Sequence, residues 1–416
     1  MTEITAIVRL LVLLLLIALT VILITRRLKI PYTLGLVVVG LLISFFDSNA
    51  HLHLTPDLVL FVFLPALLFE GSWAISLQVM RENWLVIFLL AGPALLLEVV
   101  LITVPLSFFT ILNWEQAFLL AVILSPTDPV AVLGLFRQLR INKQLSTIIE
   151  AESLFNDGVA GALYQVFLVL VLLNAHGEAL SAAGAWLEGI QTFLLQAGGG
   201  VLIGALCGFL INRFVKMIDD PLIETTITIV TAYGVYLLAD FLHTSGILAV
   251  ILAGLILSSG QAMGMSELTH EAVDNFWSVI AFLANALLFL LVGIQLNPTR
   301  LLDSQDSVSL LLTAGLAIIA VLAARFVIVA ALPTGLPPTV PGKRLRSWRF
   351  VIFWSGLRGA LSLALVLALP LDVPNRSNFL FATYAVVLFT LLVQGFSLRA
   401  ILQRLPCMSE SYEPRP

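Results

Sequence analysis

The chain runs to 416 residues, 60% of them hydrophobic and only 11% charged, with a mean hydropathy of +1.06. That composition excludes a soluble domain and describes an all-α polytopic membrane protein with almost no mass outside the bilayer. The net charge of −4 decides little, and two cysteines far apart in the chain, Cys207 and Cys407, imply no disulfide framework.

A helix needs about 20 apolar residues to cross the hydrocarbon layer. Cutting the chain at charged, polar and Gly/Pro-rich interruptions predicts about thirteen spans, over residues 4–26, 30–46, 56–76, 83–111, 115–136, 146–173, 185–212, 221–242, 245–260, 275–296, 307–333, 347–370 and 376–403. The first is a retained helix and not a cleaved leader, because its basic cluster, Arg26, Arg27 and Lys29, follows the apolar stretch. Arg9 within it snorkels to the surface. Glu98 in the fourth span, Glu150 in the sixth and Glu224 and Asp240 in the eighth are read as interfacial or locally satisfied. Gly198-Gly199-Gly200 in the seventh suits close helix contact, and a dimer interface is its expected place.

Basic residues are retained on the cytoplasmic side during insertion. With thirteen spans, sixteen of the 21 Lys and Arg residues fall on one side, only Arg300 and Arg376 on the other, and Arg9, Arg325 and Arg358 within spans. This bias places the N-terminus outside and the C-terminus in the cytoplasm. The short loops suit a plasma membrane of the bacterial inner-membrane type.

Two motifs recur. Gly40-Leu41-Leu42-Ile43-Ser44 ends the second span and Gly254-Leu255-Ile256-Leu257-Ser258 the ninth; Ala66-Leu67-Leu68-Phe69 of the third returns as Ala286-Leu287-Leu288-Phe289 of the tenth. Seven spans, an odd number, separate each pair, so the copies run in opposite directions. The pattern predicts two inverted six-helix repeats joined by the seventh span, as in many secondary transporters, with the binding site where corresponding helices are interrupted. The fifth span is broken at Ser125-Pro126-Thr127-Asp128-Pro129 and the twelfth at Ser355-Gly356-Leu357-Arg358-Gly359. Proline has no N–H, so the carbonyls of Val122 and Ser125 lose their helical donors and need other partners at that depth. Asp128 and Arg358 can each neutralise opposed half-helix ends, and each can neutralise the other.

A carboxylate at bilayer depth costs roughly +2.5 to +3.5 kcal/mol on insertion scales, so by default it marks an ion or proton path. The sixth span carries three, at Glu150, Glu152 and Asp157. Ser153 and Asp157 share a helical face and Glu152 and Asn156 the adjoining stripe, an oxygen-bearing surface suited to a hard monovalent cation. Gly158 and Gly161 admit a neighbouring helix. Arg325 in the eleventh span is the expected partner of Glu152, in a pair that fixes packing. Arg358 is taken by Asp128, which leaves Asp157 unpaired. Desolvation favours the neutral form of an unpaired carboxylate, so Asp157 is poised to carry a proton.

Four segments, Ser125-Pro126-Thr127-Asp128-Pro129-Val130-Ala131-Val132, Glu152-Ser153-Leu154-Phe155-Asn156-Asp157-Gly158, Ser245-Gly246-Ile247-Leu248-Ala249-Val250 and Gly356-Leu357-Arg358-Gly359-Ala360, resemble the NhaP-type bacterial Na⁺/H⁺ antiporters and the animal Na⁺/H⁺ exchangers, monovalent cation:proton antiporters. The resemblance covers essentially all thirteen spans. It implies an NhaA/NhaP-like antiporter fold with crossing fifth and twelfth helices. It also implies a homodimer in which a mobile ion-binding bundle, residues 81–174 and 301–405, moves against a dimerisation scaffold, residues 1–80 and 175–300, with a short tail at 406–416. Asp157 would bind Na⁺ and H⁺ in competition, beside Asn156. Ser153, Glu70 and the main-chain carbonyl of Thr127 would complete the cation shell, Glu70 matching through Phe63-Leu64-Pro65-Ala66-Leu67-Leu68-Phe69-Glu70-Gly71. Asp128 and Arg358 would act at the crossing helices, and Glu152 with Arg325 would form a structural ion pair.

In that family, Asn before the functional Asp accompanies electroneutral one-for-one exchange. The expected function is therefore secondary-active Na⁺(Li⁺)/H⁺ antiport by alternating access, serving pH homeostasis, with K⁺/H⁺ antiport in the same fold as the alternative. The expected partners are monovalent cations, protons and the bilayer, with neither a cofactor nor nucleic acid. The sequence stops shortly after the last span, so control by a long cytoplasmic tail is not expected. A channel would carry a carbonyl filter or an Arg-rich sensor, and an enzyme a His-Glu-x-x-His or phosphate loop; the sequence contains none of these motifs.

Overall fold

A computed structural model describes residues 3–28, 30–46, 55, 57–175, 182–218, 220–259, 266–295, 307–332 and 342–405. Its elements are helices: α1 (Glu3–Leu28), α2 (Tyr32–Phe46), α3 (Leu58–Ala74), α4 (Trp84–Phe109), α5a (Trp114–Leu124), α5b (Val130–Leu139), α6 (Lys143–Ala175), α7 (Leu187–Val215), α8 (Pro221–Phe241), α9 (Gly246–Ser259), α10 (Glu267–Gln295), α11 (Ser307–Ala331), α12a (Gly342–Trp354), α12b (Ala360–Leu367) and α13 (Arg376–Arg404). Among the described residues, eight helices are long and apolar enough to cross a membrane, and α2, α3, α5a and α9 are shorter apolar helices. The predicted tail, with Cys407, and the basic residues Lys29 and Arg300 lie outside the described residues.

Helix ends follow local chemistry. Asn113 opens α5a with a capping box, its side chain accepting the Gln116 N–H while Gln116 accepts the Asn113 N–H. Asp220 caps α8 ahead of Pro221, and Arg376 turns back to donate to the carbonyls of Leu369 and Leu367 at the end of α12b. Pro93 is absorbed inside α4 by a π turn, but the two expected breaks are complete: residues 125–129 and 356–359 leave the helical path.

Small residues set the closest approaches. Gly40 of α2 faces the backbone of Leu290 and Gly293 of α10, and Gly254 of α9 faces Ser72 of α3. These are the glycines of the repeated motif, so α2 seats on α10 much as α9 seats on α3. Gly200, Gly204 and Gly208 of α7 lie along Ser245, Ala249 and Ala253 of α9. Gly199 and Gly200 face Thr244 and Ser245, just ahead of α9 in the same chain, which is the close helix contact expected of the glycine run, while a Cβ at Gly198 would meet nothing within 4 Å. Glu98 and Glu224 are both buried in the protein.

Helices α1, α2, α3, α7, α8, α9 and α10 pack mainly among themselves, as do α4, α5a, α11, α12a, α12b and α13; α6 touches both sets, and α10 also meets α12b and α2 meets α13.

Candidate functional site

The two broken helices satisfy each other's exposed ends. Asp128 N–H donates to the Leu357 carbonyl at 2.7 Å, and its carboxylate accepts from Val130 N–H at 3.0 Å and Ala360 N–H at 3.4 Å. Val130 and Ala360 begin α5b and α12b, so one carboxylate serves two helix N-termini. Gly359 permits the approach, since a Cβ there would overlap the Asp128 carboxylate. Arg358 is fully buried; its guanidinium donates to the carbonyls of Ser125 and Pro126 beyond α5a and pairs with Glu98 of α4. The Ser125 carbonyl thus finds its replacement donor in Arg358, and the Val122 carbonyl takes the Ser125 N–H and hydroxyl.

This arrangement corrects the expected Asp128–Arg358 pair. Each does neutralise half-helix ends, as expected, but Asp128 is held by N–H groups, and the cation is balanced by Glu98, a residue read from sequence as interfacial or locally satisfied. The Glu152–Arg325 pair forms as expected, at 2.5 Å with both side chains buried, and Arg325 also donates to the Ile352 carbonyl at 3.2 Å.

Beside the crossed breaks lies a cavity of about 100 Å³ lined by Glu70, Thr127, Asp128, Ser153 and Asp157, among others. The five come from three separate stretches of chain. Glu70 stands near the end of α3; Thr127 and Asp128 lie in the α5 break; Ser153 and Asp157 share one face of α6. The Ser153 hydroxyl donates to the Thr127 carbonyl, tying α6 to the break. Asp157 Oδ1 is buried and has no hydrogen-bond donor among the described residues. Asn156 is not among the cavity-lining residues; its amide oxygen and nitrogen are both buried and unpartnered, on the neighbouring stripe of α6. Gly158 and Gly161 face Leu248 and Ile247 of α9, as expected of a close helix contact.

Two further polar residues line the cavity, Glu150 and Asn285. Glu150 lies seven residues before Asp157, hence on the same helical face, a register signal present in the sequence. Asn285 directly precedes the repeated Ala286-Leu287-Leu288-Phe289, and that adjacency was its only sequence signal.

The family model described as "Sodium/hydrogen exchanger, transmembrane" matches residues 12–404. The Na⁺/H⁺ antiporter ApNhaP of Aphanothece halophytica is 37% identical over 390 residues, 93% of this chain and 72% of that protein. The low-affinity Na⁺/H⁺ antiporter NhaS1 of Synechocystis is 36% identical over 389 residues, 92% of this chain and 71% of that protein. Among solved structures, the sodium proton antiporter MjNhaP1 from Methanocaldococcus jannaschii at pH 8 is similar with a TM-score of 0.77, covering 97% of this chain and 99% of that one at 18% identity, which is a likeness of fold.

Proposed function

Because the chain belongs to the sodium/hydrogen exchanger family, we propose that its cavity at the crossed breaks is the place where Na⁺ and H⁺ are exchanged. The chain is a Na⁺/H⁺ antiporter, multi-pass in the membrane. The single observation that carries the site reading is Asp157: a buried carboxylate oxygen without a donor, opening on a cavity that also holds Ser153, Glu70 and the Thr127 segment. A hard cation takes such oxygens as ligands, and a proton takes the same carboxylate, so the two compete for one charge. Asn156 beside it is neutral, in keeping with one cation exchanged for one proton.

Alternating access follows from the two packing sets. Asp157, Ser153 and Thr127 lie on α6 and the α5 break, whereas Glu70 lies on α3, so relative movement of the sets opens the cavity to either side. In this reading residues 81–174 and 301–405, which carry α4, α5a, α5b, α6 and α11–α13, are the moving bundle, residues 1–80 and 175–300 are the scaffold of a homodimer, and the basic loops lie in the cytoplasm of a bacterial inner membrane. Low pH inhibits by protonating Asp157, and high pH leaves too few protons to drive the return step, so activity is bell-shaped in pH.

The test uses purified protein in liposomes with an internal pH dye. Na⁺ or Li⁺ drives proton movement whose rate does not respond to an imposed membrane potential. Asp157→Asn abolishes it while eluting as a folded protein, and an Asp157→Asn variant that still exchanged cations for protons would refute the site.

A further inference from the structure

Helix α10 contributes Asn285 to the wall of the cavity. The residue is 4% exposed, and its side-chain oxygen is buried with no hydrogen-bond donor among the described residues. Buried polar atoms are almost always partnered, so an orphaned amide oxygen on a residue that lines the cavity points to a partner that comes and goes. The backbone around it is firmly held. Phe289, four residues on, is fully buried, and Gly293 brings α10 against the α2 backbone at Val37 and Gly40. A side chain carried on so rigid an element keeps its oxygen in place between transport steps.

We propose that Asn285 is an oxygen ligand for the dehydrated cation and biases the site toward Na⁺ over H⁺; this rests on the reading of Asp157 given above. A hard cation gathers carboxylate, hydroxyl and carbonyl-type oxygens, and an amide adds one without adding charge. The proton needs no such shell. It sits on one carboxylate oxygen of Asp157 and gains nothing from an amide oxygen that the cation would occupy. Asn285 and Glu70 belong to one packing set, Asp157, Ser153 and Thr127 to α6 and the α5 break. The bound cation is therefore shared across the moving boundary, while the bound proton travels with Asp157 alone.

Asn285→Leu keeps the approximate volume and removes the oxygen; Asn285→Ser keeps a shorter oxygen. In the liposome assay Asn285→Leu raises the KM for Na⁺ about 10-fold, the low end of what a metal-supporting side chain contributes, and leaves kcat within about twofold. The pH of half-inhibition by protons, compared at the same multiple of each variant's KM, stays where it is in the wild type. Asn285→Ser falls between the two. A wild-type KM in Asn285→Leu overturns the inference, as does a loss confined to kcat. If Asn285→Leu fails to accumulate, stabilisation of Asn285→Ser against heat by added Na⁺ decides: a wild-type midpoint in the Na⁺ titration overturns it. Asp157→Asn is run alongside. Should that variant still exchange, the Asp157 site itself falls; should it be inactive while Asn285→Leu keeps a wild-type KM, only the role of Asn285 falls.

Discussion

Glu98 and Arg358 form the most consequential contact that reading along the chain missed, and its removal tests how the break in α5 is held. Arg358 is fully buried and Glu98 is 1% exposed, so neither charge has water to fall back on. Glu98→Leu leaves the guanidinium uncompensated, which costs about 3–5 kcal/mol in a protein interior. Glu98→Gln keeps a neutral acceptor worth about 1 kcal/mol, so its loss is smaller, roughly 2–4 kcal/mol. The double variant Glu98→Leu/Arg358→Met is the sharper test. An ordinary buried pair can be exchanged for apolar residues at little cost. Here the carbonyls of Ser125 and Pro126 lose their donor as well, at about 1–3 kcal/mol each, so the double variant stays roughly 2–6 kcal/mol below the wild type. Thermal unfolding in detergent, followed by fluorescence-detected gel filtration, reads the difference as a melting temperature lower by several degrees. Full recovery in the double variant would refute the role of Arg358 at the end of α5a, and a wild-type melting temperature in Glu98→Leu would refute the pair itself.

The second buried pair behaves differently. Arg325→Ala alone strands Glu152 and loses about 3–5 kcal/mol, whereas Glu152→Leu/Arg325→Met returns to within about 1 kcal/mol of wild type, because the Ile352 carbonyl that Arg325 also serves keeps the Ser355 hydroxyl as donor; the same melting assay measures both. Gly359→Ala pushes the Asp128 carboxylate off two helix N-termini and abolishes cation-dependent proton flux with a stability loss of roughly 1–3 kcal/mol, while Gly134→Ala, where a Cβ meets nothing within 4 Å, retains wild-type flux.

The positions of the helices were legible because burial in lipid acts residue by residue: an apolar run long enough to span is a helix whatever surrounds it. The breaks were legible for a similar reason, since Pro126, Pro129, Gly356 and Gly359 disrupt a helix through their own backbones. Asp157 stood out by its depth, Glu152 and Arg325 by being an unmatched acid and base in spans. The rule that singled out Asp157 applied equally to Glu98, which lies in the middle of a Leu- and Val-rich span; read as interfacial or locally satisfied, it is instead paired with a distant arginine.

Partner choice could not be read that way. Asp128 and Arg358 stand at corresponding breaks, and charge alone pairs them; the fold instead gives Asp128 to the N–H groups of Val130 and Ala360 and gives Arg358 to Glu98, 260 residues distant. Both answers satisfy the same charges, and only the crossing geometry selects between them. The glycine run of α7 likewise advertises close contact without naming its partner, which proves to be α9. Asn285 is the extreme case: an amide in an apolar helix carries no charge to betray it, and nothing but the three-dimensional meeting of α3, the α5 break, α6 and α10 brings it to the wall of the cavity that Asp157 also lines. Local chemistry therefore determined where the apolar helices run, where the chain breaks and which face of α6 carries the cavity-lining carboxylates. Tertiary structure decided which charges meet and which oxygens share the cavity, because those depend on distances between segments that the order of residues does not encode singly.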